Sequence, residues 1–231
     1  MLIRAKFEKL EGVRYISHLE LMDSFRRAFR RAELPLAYSK GFNPHIILSL
    51  GNPLKVGMLG RGEYFDLELA ENITPDNFIN KVNEKLPSDI KILEAKQINN
   101  TSKSLMALID TAVYDYNMKY KVENFEEEQV LQSFLAEEKI EVLRKRKRKK
   151  DRLIDIRPLI LDADILAPGK WRFKVQSGSS GNLRAEELIR SLNDFCDDIY
   201  KVPIINIERE GLYIQEGGNF YTPLDDKYIG S

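Results

Sequence analysis

The chain has 231 residues, 43% apolar and 10% aromatic, enough for one large core or two of ordinary size and too many for a disordered chain. Its 36 basic and 36 acidic residues cancel, so no global field draws it onto a polyanion and any nucleic-acid role rests on local patches. The single cysteine, Cys196, excludes an internal disulfide and an iron–sulfur cluster held by this chain alone, because a cluster takes several thiolates. No apolar h-region follows Met1, and no apolar run reaches the roughly 18 residues of a membrane span. The expectation is a soluble, cytoplasmic protein of bacterial type with no membrane contact.

Residues 2–8 alternate polar and apolar as a half-buried strand does. Residues 18–33 set Leu21, Met22, Phe25, Ala28, Phe29 and Ala32 on one helical face, and Pro35 stops the helix. Residues 42–62 form a long turn-rich connection around the short apolar run 46–50. Residues 63–69 alternate with period two, a strand with one wet face. Thr74-Pro75-Asp76 opens a second helix with a capping hydroxyl, a proline whose missing N–H costs nothing at the first position, and a carboxylate facing the positive dipole end. Phe78, Ile79, Val82 and Leu86 face inward, Pro87 ends the helix, and residues 90–98 are strand. The sum is β-α-β-β-α-β, the ferredoxin-like order.

The breaker-rich residues 99–104 mark a linker, taken as residues 100–110 between a first unit of residues 1–99 and a second of residues 111–216. In the second unit residues 112–122 are strand, and Asn124 caps a helix with Glu127 three positions on and Val130, Leu131, Phe134 and Leu135 inward. Residues 140–147, 153–165 and 171–176 are strand-like. Residues 183–195 are helix, with Leu188, Ile189, Leu192 and Phe195 in register, and residues 202–215 hold closing strands. The fold expected is α+β, two ferredoxin-like (βαββαβ) units in tandem, the second with an extra strand or hairpin and a basic tip. Residues 217–231 are a loose tail.

Seven consecutive cations, Arg144, Lys145, Arg146, Lys147, Arg148, Lys149 and Lys150, follow an apolar strand and precede another. Alternation puts cations on both faces, so neither face can be buried and the run projects as a hairpin tip or loop. Its self-repulsion is relieved by a phosphate backbone, which makes these seven residues the nucleic-acid contact; a solvated edge-guarding hairpin is the plainer alternative. Ser177, Gly178, Ser179, Ser180, Gly181 and Asn182 lie between a strand and a helix start, with Arg184 one step inside, a setting for a phosphate on free backbone amides or simply for a flexible turn. The P-loop order is absent. In the first helix Asp23 can pair with Arg27 at i,i+4, and Arg26, Arg27, Arg30 and Arg31 favour the negative dipole end. The arginines this leaves over can line a groove with Lys40 and His45. His18, beside Ser17 and Tyr15, is a weak candidate for general acid–base work, and two histidines without spaced cysteines or carboxylates are a poor metal signature.

Tyr15-Ile-Ser-His18-Leu-Glu-Leu-Met22, Leu34-Pro-Leu-Ala-Tyr-Ser-Lys-Gly-Phe-Asn-Pro44, Glu63-Tyr-Phe-Asp-Leu67, Asp155-Ile-Arg-Pro158 and Gly178-Ser-Ser-Gly-Asn-Leu183 together resemble the radical SAM-associated (radical SAM-linked) bacterial family of unknown function. The resemblance implies a partner of a radical SAM enzyme, not the cluster-bearing subunit, and it implies no catalytic residues. A weaker resemblance, of fold only, is to tandem ferredoxin-like RNA-processing proteins of the CRISPR repeat-associated type. The expectation is a non-catalytic RNA-binding or substrate-presenting accessory protein, acting with a separate radical SAM enzyme on tRNA or rRNA. It needs no cofactor of its own, and Tyr15, His18, Arg30, Lys40, Asn43 and His45 form a surface for partner or substrate. The alternatives are a metal-independent endoribonuclease and a protein–protein adaptor without nucleic acid.

Overall fold

The structure, a computed structural model, describes residues 1–99, 101–145 and 150–230. In chain order its elements are β1 (Leu2–Lys9), α1 (His18–Arg31), β2 (Leu48–Leu50), β3 (Leu59–Glu68), α2 (Pro75–Asn83), β4 (Ile90–Ile98), α3 (Leu105–Leu108), β5 (Thr111–Asn117), α4 (Glu127–Ala136), β6 (Glu141–Arg144), β7 (Arg152–Asp155), β8 (Ile160–Ala167), β9 (Lys170–Gln176), α5 (Ala185–Phe195), β10 (Ile207–Glu216), β11 (Asn219–Tyr221) and α6 (Asp226–Ile229). This is a mixed α+β fold with antiparallel strand pairing. The chain divides into two compact units, one of Met1–Asp110 with Arg209–Ser231 and one of Thr111–Glu208.

In the first unit β1 pairs antiparallel with both β3 and β4, and β2 pairs with β3 along Phe65 to Leu67. The strand order is therefore β4-β1-β3-β2. β10 also borders β3, where Gly62 is required: a Cβ there would lie 2.8 Å from the Glu210 carbonyl oxygen. One sheet face carries Ile3, Ala5, Phe7, Phe65 and Leu67, all buried. α1 covers it because Leu21, Phe25, Ala28 and Phe29 recur at helical spacing. The Phe25 ring centroid lies 4.9 Å from those of Phe7 and of Phe65. α1 begins where the sequence predicts, with Ser17 Oγ accepting from Glu20 N and Glu20 Oε2 accepting from Ser17 N. α2 starts on Thr74, which accepts from Asn77 N at 3.4 Å.

The linker and the tail differ from expectation. Arg4, wholly buried, makes a two-pronged ion pair with Asp66 at 2.8 and 2.9 Å, then donates to the carbonyls of Lys103 at 2.9 Å and Pro223 at 3.3 Å. One guanidinium thus fastens residues expected to be a linker and a loose tail to the sheet of the first unit. α3 buries Leu105, and Leu224 of the tail is buried as well. The last stretch of chain belongs with the first unit, and the second unit ends at Glu208, short of residue 216.

In the second unit β9 pairs antiparallel with β5 and β8, while β6 and β7 form a separate hairpin. Tyr116, Trp171, Phe173, Leu131, Phe134, Leu188 and Leu192 are its buried centre. The expected strand over 153–165 is two strands, parted by a 3-10 turn at Arg157–Leu159 in which Pro158 offers no N–H to a ladder. Asn124 does not cap α4: it sits at φ +56, and Glu126 precedes the helix. Glu127 turns away from a capping box because it accepts from Trp171 Nε1 at 2.7 Å, the Tyr120 hydroxyl at 2.6 Å and Gly169 N at 3.0 Å.

Candidate functional site

The β6–β7 ladder pairs Glu141 with Asp155, Val142 with Ile154, Leu143 with Leu153 and Arg144 with Arg152. Val142 points inward and is buried, whereas Leu143 and Leu153 stand exposed opposite one another. The basic run begins at the last rung and is the connection between the two strands. Lys145 and Lys150 are exposed; Arg146, Lys147, Arg148 and Lys149 lie outside the described residues.

Arg144 has a different role from its neighbours. Its guanidinium forms a two-pronged ion pair with the buried Glu187 of α5, with Nε to Oε1 at 2.7 Å, and donates to the Asn182 carbonyl at 2.8 Å. The base of the hairpin is thereby tied to the Ser/Gly turn and to the start of α5. The structure brings those two sequence features together, but Arg144 is engaged by protein and not presented to a phosphate.

The turn itself is closed. Ser177 bridges Asn182, Gly178 N donates to the Gly181 carbonyl at 2.7 Å, and Leu183 N donates to the Gln176 carbonyl at 2.9 Å. Gly181 packs closely: a Cβ would stand 2.1 Å from Gln176 Oε1 and 2.8 Å from Leu159 Cδ2, so those two side-chain ends would have to move. At the N-terminus of α5 the anion is already supplied, since Glu187 Oε2 accepts from Arg184 N at 3.3 Å. A further anion would have to approach from the exposed side of Ser179, Ser180, Asn182 and Arg184. The expectation that the turn's amides as a group await a phosphate is corrected to that extent, because the amides of Gly178 and Leu183 close the turn and a carboxylate holds the helix start.

In the first unit His18 is the first residue of α1 and lines a small crevice of about 10 Å³ with Lys9, Ser17, Asn52, Glu63 and Tyr64. Among the described residues the His18 ring has no hydrogen-bond partner. Lys9 is buried at the end of β1 and donates to the carbonyls of Arg14 at 2.8 Å and Ile16 at 3.4 Å; loss of solvent lowers its pKa below 10.5, opposed by the nearby Glu63. Glu63 in turn is held by Arg209, with Nε to Oε1 at 2.7 Å, and Arg209 also donates to the Asn52 carbonyl at 2.6 Å. Sequence reasoning passed over these three buried charges. Lys9 was legible, since it continues the inward phase of Ile3, Ala5 and Phe7 at period two.

The remaining predicted residues lie on the surface. Tyr15 is exposed, with the Arg14 guanidinium 5.9 Å over its ring. Asp23 pairs with Arg26 at 3.0 Å and not with Arg27, whose guanidinium donates to Ser24 Oγ at 3.1 Å. Arg31 donates to the Lys85 carbonyl at 2.9 Å, and Arg30 is exposed. Lys40, Asn43 and His45 sit on one exposed loop, where the His45 Nδ1 is 2.8 Å from the Ser39 hydroxyl. Among the described residues no group of three or more His, Cys, Asp or Glu side chains is arranged to hold a metal ion, and no helix is long and apolar enough to cross a membrane.

A family model described as "uncharacterized protein conserved in bacteria (DUF2344)" matches residues 2–185. Among solved structures, a chain of the crystal structure of a Cbf5-Nop10-Gar1 complex is similar with a TM-score of 0.50 and 13% identity, over 90% of this chain and 47% of that one. This chain therefore spans about half the length of that neighbour, and at such identity the similarity concerns fold alone. No curated protein matches.

Proposed function

The chain belongs to the bacterial DUF2344 family, and from its two α+β units and their charge placement we propose that it is a non-catalytic accessory protein that binds RNA and presents it to a separate enzyme. The enzyme we propose is a radical SAM enzyme acting on tRNA or rRNA, which rests on the sequence resemblance. With Cys196 as its one cysteine, this chain leaves the iron–sulfur cluster to that partner. The element order β1-α1-β2-β3-α2-β4, with strand order β4-β1-β3-β2, supports reading the first unit as ferredoxin-like. In the second unit β5, α4, β8, β9 and α5 follow the same order around the inserted β6–β7 hairpin, which supports the tandem reading.

The observation that carries the RNA reading is the position of the basic run. In sequence it lies between two paired strands, its first residue Arg144 is clamped to Glu187, and its Lys145 and Lys150 are exposed. Lys145 and Lys150, exposed next to an anchored pair of strands, can meet a phosphate backbone without having to be drawn out of the fold, and counterion release drives the contact. The test is RNA filter binding across salt concentrations, comparing the native chain with one in which residues 145–150 are Ser/Gly and Arg144 is kept. Each phosphate contact removed should take about 0.7–0.9 off the log–log salt slope. An unchanged affinity and slope would overturn the proposal.

A further inference from the structure

We propose that the loop from Tyr38 to Ile46 is a second RNA contact, a finger that stacks Phe42 on an unpaired base while Lys40 and His45 meet the phosphates on either side. This rests on the RNA-binding reading above and adds a site in the other unit, with single-stranded RNA as its ligand.

Phe42 is fully exposed, 105% of its reference accessibility, at the tip of a loop whose stem is well fastened. Tyr38 bridges the buried Ile46, Ile47 N donates to the Ala37 carbonyl at 3.2 Å, and β2 continues the stem into β3. Within the loop Ser39 N donates to the His45 carbonyl at 2.9 Å and His45 N donates to Ser39 Oγ at 3.1 Å. Gly41, at φ +130, supplies the backbone turn just before the ring, in a region where a side chain would be strained. A single exposed apolar side chain is ordinary. Here, though, a phenyl ring is set at the tip of a hydrogen-bonded loop and touches nothing its own fold provides.

Charge selects the partner. Residues 34–62 contain no Asp or Glu, though the chain averages 36 carboxylates in 231 residues, and they carry Lys40, His45, Lys55 and Arg61. The loop itself carries Lys40 and no carboxylate, in a chain that is neutral overall. An aromatic platform with a lysine two residues before it and an imidazole three after is a combination that suits single strands, because every base offers a π-face and the backbone beside it a phosphate.

Phe42→Trp provides the test. The chain's one native tryptophan, Trp171, is wholly buried, so the new indole is the solvent-exposed reporter. Titration with a single-stranded RNA 12-mer should quench its emission to saturation, whereas an abasic 12-mer of equal charge should not. Phe42→Ala should weaken binding of the 12-mer by about 5- to 100-fold, and Phe42→Tyr should retain it. If the 12-mer binds the native chain and the Phe42→Ala chain equally, and the indole stays unquenched, the finger is overturned while the hairpin reading stands. If no RNA binds in either experiment, both fall. Loss of a co-purifying protein in Phe42→Ala at native RNA affinity would also overturn the finger, assigning the ring to a protein partner.

Discussion

Arg144→Ala separates the structural cation of the basic run from the others. Removing one partner of a buried ion pair costs about 3–5 kcal/mol, because the other charge is left without compensation. Glu187 is 2% exposed but Arg144 is 19% exposed, so water screens part of the loss. Glu187 also keeps the Arg184 amide at 3.3 Å and the Arg184 guanidinium, itself half exposed, at 3.9 Å. A loss of about 2–3 kcal/mol is expected once these are allowed for. Urea denaturation followed by the fluorescence of Trp171, which is buried in the same unit, reads the change directly. With a slope of about 2 kcal/mol per molar urea, the midpoint should fall by about 1–1.5 M without a change of slope. Arg144→Lys keeps the charge but not the fork and should recover only part of the loss. The double variant with Glu187→Gln should lose less than the two single losses combined. The salt slope of RNA binding should stay native in Arg144→Ala. A loss below about 0.5 kcal/mol, or a fall in salt slope matching that of the 145–150 replacement, would refute the division of roles.

Arg4→Leu should cost roughly 3–5 kcal/mol, since Asp66 stays buried and the Lys103 and Pro223 carbonyls lose a donor; limited proteolysis should then cut within residues 217–230 much faster than in the native chain, and equal cleavage rates would count against the clamp. For Lys9, the folded pKa lies below the unfolded value of 10.5 because burial disfavours the charged form. Between the two values the unfolded chain holds a proton that the folded chain has released, so stability rises with pH through that window, and Lys9→Met should flatten the rise. Side-chain NMR should find Lys9 titrating below 10.5; a value at or above it would remove the basis for the slope.

Elements whose signal is local were legible in the sequence. Residues 90–98 are strand as their pattern requires, and Thr74 and Ser17 cap the helices they precede. The misplaced features depend on partners far along the chain. Nothing near residues 217–230 announces that Arg4 holds two of their carbonyls, and nothing near Arg144 points to Glu187, 43 residues on. Asn124 and Glu127 have the spacing of a capping box, yet Trp171 and Gly169 offer Glu127 better hydrogen bonds than the helix start does. In the Ser/Gly turn small residues leave room for an anion, and they equally allow the tight closure that Gly181 makes on Gln176. Composition alone does not separate those two uses, whereas the Gly178 N to Gly181 carbonyl bond does.

The way cations are divided in this neutral chain bears on which of them can meet RNA. Arg4 with Asp66, Arg209 with Glu63, Arg172 with Asp115 and Arg144 with Glu187 are all two-pronged pairs to buried or nearly buried carboxylates. The planar guanidinium suits that geometry and an ammonium does not, so these four arginines hold the fold while Lys40, Lys145 and Lys150 stay at the surface. Screening confines such surface charges to about 8 Å at physiological ionic strength. Long-range steering is therefore weak, and the exposed carboxylates at Glu123, Glu126, Glu128, Glu137 and Glu138 oppose it further. On the proposed RNA reading, neutralising those glutamates should speed association only at low salt, because contact would then depend on cations close to the strand.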